Sequence, residues 1–233
     1  MIPFRDNIPS RSFPIITVLI IVANVLAFLY ELSLGSSLER FVTHYGVVPT
    51  AVFNWNQSAV PLTALLVPFF TSMFLHGGWL HLIGNMWYLW IFGDNVEDRL
   101  GHFTYLIFYL LCGLGAGVVH TVLNYQTSVP SIGASGAIAG VLGAYLVSYP
   151  HARVLTLIPI FVFVQVIEIP ALIVLGLWFL MQFFYGATEI AAATGNSGGV
   201  AWWAHVGGFV IGMLLVLLFP RKDRPVYDYY GRA

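Results

Sequence analysis

The chain has 233 residues, of which 59% are hydrophobic and 8% charged. A water-soluble domain carries about a quarter charged residues, so this composition excludes a surface solvated by water and makes lipid the expected solvent. A net charge of −1 gives no footing for nucleic acid, and the single Cys112 excludes an intramolecular disulfide and argues against a structural zinc site.

The first apolar run, Phe13–Tyr30, is too long for the core of a secretory leader and is followed by no small-residue cleavage site, so it reads as a retained helix. Val60–Leu75 contains Pro61 and Pro68 and reads as a broken or half-inserted segment. Trp79–Gly93, Phe103–Leu123 and Ile132–Tyr149 follow as three spans. Val154–Ile167 contains Pro159 and precedes Pro170, and is expected to be either an interfacial helix or a seventh crossing. Ile169–Gly186 and Val200–Phe219 complete an all-α polytopic bundle of six transmembrane helices. Its expected organisation is a cytoplasmic N-terminus (1–12), a membrane domain (13–220) and a cytoplasmic tail (221–233), with no internal repeat.

Basic residues favour six spans over seven. With the N-terminus inside, Arg5, Arg11, Arg99, Arg153, Arg221, Lys222, Arg224 and Arg232 are cytoplasmic and only Arg40 is outside. A seventh span would send the four C-terminal basic residues to the other side and erase the bias. Small residues mark the third span (Gly113, Gly115, Gly117), the fourth (Gly136, Ala139, Gly140, Gly143, Ala144) and the sixth (Gly208, Gly212). Such residues let helix backbones approach closely in lipid, and the fourth span is expected at the centre of the bundle.

Polar side chains inside spans are costly and mark functional sites. Four stand out: His81 and Asn85 on one face of the second span, Ser135 opening the fourth, and His205 near the start of the sixth. Ser135 precedes Pro150 by fifteen residues, His205 precedes Pro220 by fifteen, and His81 precedes Asn95 by fourteen. At 1.5 Å per residue all three sit roughly 21–23 Å above the inner boundary, some way below the outer surface of a core about 30 Å thick. Three spans thus place a hydroxyl, two imidazoles and an amide near one level. A serine hydroxyl becomes a nucleophile when a base takes its proton, and histidine is the usual base. Asn85, His81 and the Ser135 N–H could donate to the oxyanion that follows. Without a carboxylate near this depth, a dyad is expected rather than a triad. A metal site at His76 and His81 is the weaker alternative, since there is no HExxH and acidic partners are lacking.

The chain resembles the rhomboid intramembrane serine proteases in His76-Gly-Gly-Trp-Leu-His81-Leu-Ile-Gly-Asn85, Glu97-Asp-Arg99-Leu-Gly101, Gly133-Ala-Ser135-Gly136 and His205-Val-Gly-Gly208-Phe-Val-Ile-Gly212. The four motifs, in order, cover about Phe69 to Pro220. The resemblance implies Ser135 as nucleophile, His205 as general base, and His81 and Asn85 as oxyanion stabilisers. It implies six helices around a water-filled cavity open to the outer side, a mobile cap at about Ala187–Val200, and an embedded first loop matching Val60–Leu75. Some members stack an aromatic residue, one turn after the serine, on the histidine; here that position is Ala139. The compact chain resembles the simple bacterial form, which implies the bacterial cell membrane. The implied partners are transmembrane protein substrates, cut near their outer end, and the lipid bilayer, with no cofactor and no metal. A catalytically silent rhomboid-like protein that binds membrane clients is the main alternative, and a small transporter the third.

Overall fold

The computed structural model describes residues 2–57, 61–160, 163–191 and 200–220. The expected tail 221–233, Val60 and most of the expected cap lie outside them. Among the described residues the helices are α1 (Ile15–Ser33), α2 (Leu38–Tyr45), α3 (Pro49–Phe53), α4 (Leu62–Thr71), α5 (Trp79–Leu100), α6 (His102–Leu123), α7 (Ser135–Ser148), α8 (Ala171–Ala191) and α9 (Trp202–Leu218). Helices α1, α6 and α8 are long and apolar enough to cross a membrane. The proline-broken segment is a bent entry to the second span: Leu62–Phe74 and Trp79–Leu100 meet at 79°. The two remaining expected spans are the shorter apolar helices α7 and α9. The membrane helices therefore follow the expected order, and α2 and α3 lie in the connection between α1 and α4. Large apolar side chains point outward all round, with Leu80 88% and Phe103 75% exposed, as a lipid-facing surface requires.

At 14 residues α7 is roughly 21 Å long, short of the hydrocarbon thickness. It need not reach lipid, because every residue from Gly136 to Tyr145 is buried. Its neighbours approach this closely because they carry no side chain at the crossing. A Cβ on Gly208 would stand 2.0 Å from the Gly136 carbonyl oxygen, and one on Gly212 would stand 2.0 Å from that of Gly140. The small residues of the fourth and sixth spans are thus the two sides of one backbone-to-backbone crossing.

The start of α1 and the ends of α5 and α9 are tied by a carboxylate-rich turn. Glu97, near the C-terminus of α5, accepts the backbone N–H groups of Ile16 and Thr17 at 2.9 and 2.8 Å and the Thr17 hydroxyl at 2.8 Å. It thereby caps the otherwise unsatisfied first turn of α1. Asp98 accepts from the Arg11 N–H and the Ser12 hydroxyl. Arg99 Nη2 donates to the Val216 carbonyl near the end of α9 at 3.5 Å. Gly101, with φ +79°, makes the sharp turn into α6.

Val154–Ile167 is neither an interfacial helix nor a crossing. It forms the greater part of an antiparallel hairpin, β2 (Arg153–Ile160) and β3 (Phe163–Pro170), in register Leu155↔Glu168 and Thr156↔Ile167. The segment is rich in Val, Ile and Phe, which favour strands, and its prolines oppose a continuous helix. Its other edge is covered from the start of the chain: β1 (Ile2–Asp6) pairs with β2, with Pro3 opposite Thr156 and Asp6 opposite Val154. The expected N-terminal tail therefore carries a strand, held also by Trp87 Nε1 donating to the Pro3 carbonyl at 2.7 Å. Glu168, unassigned from sequence, faces solvent on β3 opposite Leu155.

Candidate active site

Ser135 is the first residue of α7, and the turn before it depends on Gly133, whose φ of +127° suits glycine and few other residues. The Gly133 N–H is anchored on the Ser72 carbonyl at 2.8 Å, where the bent pair changes direction. This presents the Ser135 hydroxyl at a helix N-terminus. His205 lies in the first turn of α9, and its Nε2 is 2.8 Å from Ser135 Oγ. The two residues are 70 positions apart in sequence and meet because α7 and α9 cross at their glycines.

The opposite ring nitrogen of His205, Nδ1, is 2.7 Å from Gln182 Oε1 on α8. An amide oxygen only accepts, so Nδ1 carries the proton in this arrangement and Nε2 is left to take the hydroxyl hydrogen. Trp178, one turn before Gln182, lies against the imidazole with ring centroids 5.8 Å apart and planes at 33°. Ala139 does not supply the aromatic partner, as its side chain is too small, and α8 supplies one instead. The Trp202 ring meets His205 edge-on at 6.2 Å.

His81 faces this pair from α5, and Asn85 follows it one turn later on the same helix. A Cβ on Gly133 would stand 2.8 Å from His81 Nε2 and 3.5 Å from Ser135 Oγ, so the imidazole and the hydroxyl border one small space. The Gly77 N–H donates to His81 Nδ1 at 3.3 Å, which leaves the hydrogen on Nε2, the nitrogen facing that space. Asn85 is buried, and its Nδ2 donates to His76 Nε2 at 3.0 Å. His76 is held in turn by its backbone N–H on the Glu31 carboxylate of α1, at 3.1 and 3.3 Å to the two oxygens. Of the four residues expected from sequence, Ser135, His205 and His81 thus come together from three helices, and Asn85 is joined to them through His76, whose ring lies 5.1 Å from that of His81.

Four neighbours were not anticipated: Gln182, Trp178, Glu31, and His76 in the role of partner to Asn85. Gln182 carried a usable signal, being the lone amide in the apolar run Ile169–Gly186. Among the described residues no group of three or more His, Cys, Asp or Glu side chains is placed to hold a metal ion. The arrangement holds a hydroxyl in hydrogen-bond contact with an imidazole nitrogen and a second imidazole bordering the same space, groups of the kinds that acyl transfer uses.

Residues 64–222 match the family model of the Rhomboid domain. The chain is 30% identical over 162 residues to rhomboid-like protein 11, chloroplastic, of Arabidopsis thaliana, covering 66% of this chain and 52% of that protein. It is 31% identical over 184 residues to the presenilin-associated rhomboid-like protein, mitochondrial, of Bos taurus, covering 75% of this chain and 45% of that one. The human protein of the same name is 31% identical over 185 residues, covering 75% and 44%. The chain thus matches about half the length of these relatives. With a bent second span, a backbone-close pair of glycine-bearing helices and a family match across more than half its length, the chain belongs to the rhomboid family.

Proposed function

We propose that this protein is an intramembrane serine endopeptidase that cuts transmembrane segments of membrane proteins near their outer end, with Ser135 as nucleophile and His205 as general base. The observation that carries the reading is the 2.8 Å contact between Ser135 Oγ and His205 Nε2, made between a half-buried serine and a buried histidine. Ser135 Oγ attacks the scissile carbonyl carbon as its proton passes to Nε2. The oxyanion is met by His81 Nε2–H, the Ser135 N–H and the second amide hydrogen of Asn85. The carbon–nitrogen bond then breaks as Nε2 returns the proton to the leaving amine, and water removes the acyl group by the same route. The proposed setting is the bacterial cell membrane with both termini on the inner side. The named relatives are chloroplastic and mitochondrial, and the support for the proposed orientation is the basic-residue asymmetry.

The test is cleavage of a panel of single-span substrates by purified wild type, Ser135→Ala, His205→Ala and the double variant. Each single variant is expected to lose nearly all activity while remaining folded, and the double variant to be little worse, because residues acting as one unit are non-additive. A fluorophosphonate is expected to label the wild type and not Ser135→Ala, and chelators to leave cleavage unchanged. Substrate capture without cleavage by the wild type would support the client-binding alternative instead.

A further inference from the structure

Helix α8 brings two side chains to the far edge of His205, one turn apart on one face: Trp178 against the ring and Gln182 at Nδ1. We propose that Gln182, with Trp178, is the positioning residue of the base, so that the hydrolytic unit is a Ser–His–Gln relay in which α8 sets the His205 tautomer.

The requirement follows from proton bookkeeping. Nε2 can accept the Ser135 proton only when the single hydrogen of neutral His205 sits on Nδ1. Both nitrogens lie in a buried ring, and a buried donor without an acceptor costs free energy. Gln182, 6% exposed, supplies that acceptor at 2.7 Å. After proton transfer the Nδ1–H stays on Gln182 Oε1, so no second proton moves and the imidazolium gains a stronger hydrogen bond than the neutral ring had. An amide does this without the desolvation cost that a carboxylate carries inside the bilayer. The Trp178 ring restricts rotation of the imidazole away from both partners. The remaining titratable side chains whose charge reaches His205 are His81 on α5 and His120 on α6, and neither is a carboxylate that could take this role.

The inference rests on the protease reading, and its test is separable from it. The full chain in detergent is assayed as wild type, Gln182→Leu and Gln182→Glu for kcat, KM, Tm and the pH profile of kcat. Gln182→Leu is expected to lower kcat about 10- to 100-fold, with KM near wild type and Tm somewhat lowered by the unpaired Nδ1–H, because a hydrogen bond to the charged ring is lost. The ionised side chain of Gln182→Glu can only accept from Nδ1–H. It is expected to remain active, with the acid limb of the profile moved to higher pH, since a carboxylate beside the imidazolium holds the proton longer. The rate of Ser135 labelling by a fluorophosphonate is expected to follow kcat. Wild-type kcat in Gln182→Leu, or an unmoved acid limb in Gln182→Glu, overturns the positioning role. So does loss of activity at every pH in a folded Gln182→Glu, which would mean that Gln182 donates to Nδ1. If Gln182→Leu fails to fold, the Gln182→Glu profile decides alone. Undiminished cleavage by Ser135→Ala would instead overturn the protease reading itself.

Discussion

In the proposed mechanism the single amide group of Asn85 has two tasks. One Nδ2 hydrogen is committed to His76 Nε2 at 3.0 Å, which fixes the plane of the amide and leaves the other hydrogen for a developing oxyanion. His76 can hold that plane because its own backbone is pinned by Glu31. Loss of one such donor costs about 10²–10³ in rate, and the loss belongs to kcat because the charge exists only in the transition state. Asn85→Ala is therefore expected to stay folded and bind substrate, yet to cleave about 10²–10³ times more slowly, with His81→Ala milder. A purely structural Asn85 would instead lower Tm and leave kcat per folded molecule intact, so both quantities are to be measured on the same sample.

Among the elements, the N-terminal strand shows how a segment with little apolar length is held to the bundle. Asp6, at the end of β1, accepts from the Tyr145 hydroxyl of α7 and from Asn95 Nδ2 of α5 at 3.2 Å. Burial raises its carboxyl above the ordinary 3.8, and the hydrogen bonds from Tyr145 and the backbone offset part of that rise. The folded state therefore holds the proton more tightly than the unfolded chain. This contribution to stability is fully present below about pH 3.8 and is lost as pH rises through the folded value. Asp6→Asn is expected to flatten that part of the dependence of Tm on pH and to raise Tm at neutral pH, read by thermal unfolding in detergent between pH 4 and 8. Parallel curves for wild type and variant would remove Asp6 from the account. The hairpin beside β1 obeys the same local logic: β-branched residues and two prolines suit strands better than a helix, although the length of the segment would have allowed a crossing.

For the whole molecule, the hairpin bears on a question of parity. The Ala171 N–H donates to the Ala152 carbonyl at 2.8 Å, so the chain leaves α7 and enters α8 at one place, and the segment between adds no crossing. With the six crossings expected from the sequence, the eight-to-one basic asymmetry supports the proposed orientation, in which the tail beyond Pro220 lies on the side that carries Arg5 and Arg11. A reporter fused at Ala233 is expected to be active on that side only. Activity confined to the opposite side would require an odd number of crossings and would refute the proposed orientation.

The apolar runs, the broken entry to the second span and the glycine-bearing helices were legible in the sequence, because hydropathy, proline geometry and small-residue spacing are local properties. The common depth of Ser135, His205 and His81 was legible too, because the helical rise converts residue counts into height. What surrounds each of these groups was not. Gln182 reaches His205 across 23 positions and Tyr145 reaches Asp6 across 139. The pairing of β1 with β2 spans some 150 residues, and the expectation of a helix at Val154–Ile167 failed because that partner strand is invisible locally. The sequence by itself determined which groups stand at matching distances along their helices. Only the tertiary structure decided which of them face one another, because rotation about each helix axis is set by packing against neighbouring helices, and a count along one chain does not contain that angle.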